Sequence, residues 1–108
     1  MIKVKVFKKD GIITGVDVSG HAGYADHGED IVCAAVSALV INTINSIETF
    51  TEDAFGGSSD PNGGHVAFHL KENISNDSIL LLNSLILGLE GIRDGYGEEY
   101  IKLIIKEV

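Results

Sequence analysis

Residues 31–47 read IVCAAVSALVINTINSI. Ile31, Val32, Ala34, Ala35, Val36, Ala38, Leu39, Val40, Ile41, Ile44 and Ile47 make a nearly continuous apolar pattern. Its length and its alanines favour a helix over a strand, despite the β-branched residues. The apolar positions cover more than one face, so this is either a central helix or one that also meets a partner. Asp30 stands immediately before it and suits the N-cap, because its carboxylate accepts from the N–H two or three residues on. That cap puts Cys33 at the third helical position, within the first turn.

The segments before the helix read as strands. Ile2, Val4 and Val6 alternate with Lys3, Lys5 and Phe7, the period of a half-buried strand. Asp10-Gly11 signals a hairpin, since both central residues of a type I′ turn need positive φ. Ile12, Thr14, Val16 and Val18 then form a second strand, with Asp17 facing the other way. Residues 20–29, GHAGYADHGE, carry Gly20, Gly23 and Gly28 and few apolar anchors. They are expected to form a mobile loop, with Tyr24 its main anchor.

After the helix, residues 51–64, TEDAFGGSSDPNGG, read as turn and loop, with Phe55 a candidate anchor. His65 to Leu70 alternate again, with Val66, Phe68 and Leu70 toward the core and His65, Ala67 and His69 away from it. Ser75, Asn76 or Asp77 caps a second helix to about Gly95. Its stripe is Leu82, Leu85, Ile86, Leu89 and Ile92, while Ile79, Leu80, Leu81 and Leu87 lie outside that stripe. Tyr100 to Val108 is a last strand. The predicted order is β-β-α-β-α-β, an α+β fold. Two helices cannot sandwich so small a sheet well, so both are placed on one face of a mainly antiparallel four-stranded sheet.

At 108 residues the chain is read as one domain, 1–108, long enough to bury a core without disulfides or metal. One cysteine makes no internal disulfide, and a reducing cytoplasm is the expected compartment. No signal sequence is apparent, and no apolar run reaches the roughly eighteen residues of a membrane span. The net charge of −8 argues against non-specific nucleic-acid binding and suits either plain solubility or a basic partner.

Cys33 draws the chemical reading. A thiol near a helix N-terminus meets unsatisfied N–H groups and the positive end of the dipole, which favour the thiolate. A nearby imidazole serves as its base. His21 and His27 compete for that role; His21 is preferred because Gly20-His21 sits at a strand end, a more rigid mount than the middle of a loop. The bland reading of Cys33 is a small core residue. No CxxC or helical HxxxH occurs, and His65 and His69 on a strand are too far apart to share an ion readily, so no metal is expected. Neither GxxxxGK[ST] nor GxGxxG is present, so no phosphate loop and no cofactor are expected.

The chain is similar to the Prp (YsxB-like) family of ribosomal-processing cysteine proteases. Gly20-His21-Ala22, an acidic spacer, and then Asp30-Ile31-Val32-Cys33-Ala34-Ala35-Val36-Ser37 match that family's signature. The resemblance implies a protease that removes the N-terminal extension of large-subunit ribosomal protein twenty-seven. It implies Cys33 as nucleophile, His21 as its histidine, a homodimer and a mixed α/β fold.

The residues themselves allow matching roles. Cys33 attacks the scissile carbonyl, and His21 moves the proton. N–H groups at the helix start are candidates to hold the oxyanion. Asp30 caps the helix and is a candidate to orient His21. Ser37 lies one turn on from Cys33, either bonding within the site or bonding back to its own helix. Gly20 supports the mount. Ala22, Gly23, Tyr24, Asp26 and Glu29 form the substrate loop; the family resemblance implies a basic stretch of substrate, which Asp26, Glu29 and Asp30 would meet. Two alternatives carry no catalysis: a ribosome-associated module holding a basic tail, and a small structural homodimer domain.

Overall fold

The computed structural model describes residues 1–26, 29–60 and 63–108. The elements are β1 (Ile2–Lys9), β2 (Ile12–Ser19), α1 (Ile31–Phe50), β3 (Phe55–Ser59), β4 (His65–Leu70), α2 (Asn76–Tyr96) and β5 (Ile101–Glu107). The sheet has five strands in the order β3-β4-β2-β1-β5. The α+β class and the mainly antiparallel sheet are as expected, with one correction: residues 55–59 are an edge strand rather than loop, so the sheet has five strands and not four. The one parallel pairing is β5 with β1, Ile2 opposite Ile101.

The β1–β2 turn has the predicted backbone, with φ of 53° at Asp10 and 80° at Gly11. The alternation expected for β2 breaks near it. Phe7 pairs with Gly15 but Lys8 with Ile13, so Thr14 is an extra residue in β2. Such a bulge reverses the side-chain phase. Ile13 is therefore buried at 5% exposure, and Ile12, expected beside Thr14 on the inner face, is exposed at 38%.

One face of the sheet carries Val4, Val6, Val16, Phe68 and Ile101, all buried. Both helices close on that face: α1 through Val32, Val36, Val40 and Ile47, and α2 through Leu82, Leu85 and Leu89. Gly88 lets the helices approach, since a Cβ there would sit 2.9 Å from Leu39 Cδ1. By length and composition α1 could cross a membrane, its mean hydropathy reaching 1.6. Here it is a core helix, and its outer face leaves Ile41 and Phe50 exposed, as α2 leaves Leu80 and Leu87.

The α2 N-cap is Ser75, whose hydroxyl accepts from the Ser78 N–H. Asp53 holds that cap, taking the Ser75 N–H at 2.9 Å and its hydroxyl at 2.7 Å. On the uncovered sheet face, His65 Nε2 lies 2.9 Å from Asp17 Oδ1, and the His69 ring leans on Phe7 at 5.1 Å. Each of these histidines thus has its own neighbour.

Candidate active site

Asp30 builds the site. Its Oδ1 accepts from the N–H groups of Val32 and Cys33, both at 3.0 Å, making it the α1 N-cap as expected. Cys33 accordingly stands at the third position of α1, half-buried, with its side chain toward the 20–29 loop. The other carboxylate oxygen, Oδ2, takes the Tyr24 N–H at 3.0 Å and draws the loop onto the helix start. The carboxylate thus serves helix and loop together, and it also bonds with the Cys33 thiol. These bonds, first that from Cys33 N–H, hold the Asp30 carboxyl below its ordinary range.

The same cap corrects the expected oxyanion site. The N–H groups of Val32 and Cys33 are occupied by the Asp30 carboxylate, and that of Ala34 by the Asp30 carbonyl. The N–H aimed at the sulfur comes from the loop instead: Ala22 donates to Cys33 Sγ at 3.2 Å. The expected ready thiolate is not what the resting site favours. Burial pushes the Cys33 thiol up from its ordinary value; the Ala22 N–H pulls it down, and the Asp30 carboxylate pushes it up again. A thiol so placed needs a base to become a nucleophile.

His21 follows the end of β2 and lines the same cleft as Cys33. Its backbone carbonyl accepts from the Met1 amine. Gly20 is needed beside it: its φ is +90°, and a Cβ there would lie 2.5 Å from the Met1 carbonyl oxygen. The described part of the loop is more anchored than its glycines suggest. Ala22 is buried, and Tyr24 packs edge-on against Tyr96 and Tyr100 at 5.6 and 5.2 Å. His27, the rival base, lies outside the described residues.

The cleft encloses about 460 Å³. Gly20, His21, Gly23, Asp30, Cys33 and Ser37 line it, so most of the predicted site residues come together. Tyr24, Asp26 and Glu29 do not line it; they are exposed on the loop's outer side. Sequence reasoning missed the opposite wall, Gly63, Gly64, His65 and Val66, and the apolar floor of Ile2, Val18 and Val36. The available signal was strand adjacency. Ser19 pairs with His65, so whatever precedes β4 must stand beside whatever follows β2.

A cysteine in a helix's first turn and a histidine line one cleft on an α+β fold, an arrangement that suits a thiol hydrolase. A family model for the cysteine protease Prp matches residues 1–102, so the chain belongs to the Prp cysteine protease family and is a cysteine protease. It is 32% identical over 99 residues to the ribosomal processing cysteine protease Prp of Staphylococcus aureus, covering 91% of this chain and 93% of that one. The Bacillus subtilis protein of that name is 31% identical over 90 residues, 78% of this chain and 79% of its own. A crystal structure of the S. aureus protease with a covalently linked product peptide superposes with a TM-score of 0.93 at 33% identity. That match covers 98% of this chain and 100% of the other.

Proposed function

We propose that this protease processes a ribosomal protein, removing the N-terminal extension of large-subunit ribosomal protein twenty-seven with Cys33 as nucleophile and His21 as base. The observation that carries the reading is the shared cleft, with Cys33 in the first turn of α1 and His21 on the adjoining strand end. The relatives' name and the peptide bound covalently by the S. aureus enzyme support it.

In this mechanism His21 takes the thiol proton as Sγ attacks the scissile carbonyl, forming the S–C bond. The Ala22 N–H, already aimed at Sγ, steadies the developing thiolate. The tetrahedral intermediate collapses, the C–N bond breaks, and His21 returns its proton to the leaving amine. Water, deprotonated by His21, then splits the thioester and frees Cys33. The base and thiol draw together on substrate binding, as catalytic contacts often tighten only in the complex. Asp30 on the cleft wall and the exposed Asp26 and Glu29 of the neighbouring loop carry negative charge that suits basic residues of the substrate chain.

The enzyme is further read as a cytoplasmic homodimer. The apolar residues left exposed on both helices favour self-association. Incubation with the same organism's extended ribosomal protein, followed by mass spectrometry, tests the function. One cut near the N-terminus that requires Cys33 is expected; an intact substrate would end the assignment.

A further inference from the structure

The connection between β3 and β4 closes against the loop that carries His21. The Gly20 N–H donates to the Gly64 carbonyl at 2.9 Å. A Cβ built at Gly64 would lie 3.2 Å from His21 Nε2 and 3.6 Å from Cε1. The imidazole therefore stands close to bare backbone, at a spacing where a Cβ would press on the ring. Gly64 also has φ +89°, a conformation that side chains rarely adopt. Neighbouring Gly63 has a similar φ of +81°, but a Cβ there would meet nothing within 4 Å.

A Cys/His pair ordinarily has a third group that orients the base. Asp30 is the nearest acid in sequence to the thiol, but its carboxylate accepts from the N–H groups of Tyr24, Val32 and Cys33 and bonds with the Cys33 thiol. His65 has its ring on Asp17. The group whose added Cβ would meet the His21 ring is Gly64.

We infer that Gly64 is a positioning residue for the cleavage reaction. Its bare backbone forms a wall that sets where the His21 ring stands relative to Cys33, the part a third side chain plays elsewhere. The inference rests on the reading of His21 as base. A methyl group at Gly64 presses the ring aside by a few tenths of an ångström; since a misplacement of about 1 Å in a reacting group costs roughly a hundredfold in rate, this smaller shift lowers it several-fold.

The experiment compares Gly64→Ala, Gly63→Ala and His21→Ala in the full chain. Both glycine variants force alanine into left-handed backbone, but only Gly64→Ala adds the contact with the ring. The expected result is a kcat for Gly64→Ala about two- to tenfold below that of Gly63→Ala. KM and melting temperature should be alike in the two. Equal kcat in both glycine variants overturns the inference while leaving His21 as base. Full activity in His21→Ala overturns the base assignment instead. Should Gly64→Ala fail to fold, the unmodified protein decides by nuclear magnetic resonance. A nuclear Overhauser contact between the Gly64 α-protons and the His21 ring supports the inference, and its absence overturns it.

Discussion

The backbone N–H of Ala22 donates to the sulfur of Cys33 across 3.2 Å. Ala22 is the residue after His21, so the proposed base and a donor to the nucleophile belong to one short piece of chain. The position of the thiol is read by the loop, and the conformation of the loop is read by the thiol.

Thiol reactivity should follow from the balance at Cys33. Its pKa is raised above the ordinary 9.0, so the resting protein holds mainly thiol at neutral pH. Alkylation by iodoacetamide is expected to be slow at pH 7 and to rise past pH 9. Asp30→Asn removes a charge that opposes the thiolate yet keeps a good N-cap. It should lower the thiol pKa and speed alkylation at pH 8 by about two- to tenfold. A slower reaction in that variant would contradict the assigned role of the carboxylate.

Cys33→Ala is expected to abolish cleavage while the circular dichroism spectrum stays unchanged, since alanine suits a helix better. His21→Ala should lose about a hundredfold or more in kcat, the usual scale of acid–base catalysis. His27→Ala should keep most activity; equal loss there would move the base to His27.

Acid should weaken the fold through Asp30 and Asp53. Both carboxyls sit below their ordinary values, Asp30 chiefly through the Cys33 N–H and Asp53 chiefly through the Ser78 and Ser75 hydroxyls. A depressed carboxyl contributes stability above its unfolded pKa, about 3.9, and that contribution disappears as pH falls through the folded value. Melting temperature should therefore drop as pH is lowered from 5 toward 2. Asp53→Asn should shrink that drop; an unchanged pH dependence would remove Asp53 from the account.

If the acids of residues 26–30 meet a basic substrate, raising salt from about 0.05 to 0.5 M should raise KM, because screening shortens the reach of exposed charges. Steady-state kinetics with a substrate-length peptide reads this directly. A salt-independent KM would mean that Asp26 and Glu29 take no part.

Sedimentation at micromolar concentration is expected to show a dimer. Leu87 is 72% exposed and Leu80 is 68% exposed on one helix. Monomer alone across that range would leave these residues as ordinary surface.

The helices, their caps and three antiparallel strands were legible because each has a local cause: an apolar period, an N-cap acid or hydroxyl, an Asp-Gly turn. β3 was not legible. Its sequence, FGGSS, offers no alternation, and it is a strand because β4 gives it a partner. Gly57 is part of that pairing, as a Cβ there would collide with the Ala67 carbonyl oxygen. The parallel direction of β5 is a property of the assembled sheet, since strand periodicity looks the same either way. At the site, the signature residues were visible in a line of text, but Gly64 was not. Its contact with His21 spans residues 21 to 64 and exists only once β2 and β4 lie side by side.

The parallel pairing of β1 with β5 has a consequence for the order of assembly. β1 must wait as an open edge while the whole intervening fold is made, and contacts so far apart in sequence form slowly. Tyr24, which anchors the loop, rests on Tyr96 and Tyr100 at the junction of α2 and β5. The Ile2 N–H likewise donates to the Tyr100 carbonyl. A growing chain can thus contain its cysteine, its histidine and a formed α1 and still lack the support that shapes the cleft. Proteolytic competence would then appear late in synthesis, when the β5 region docks, which guards a newly made protease against acting before it is whole.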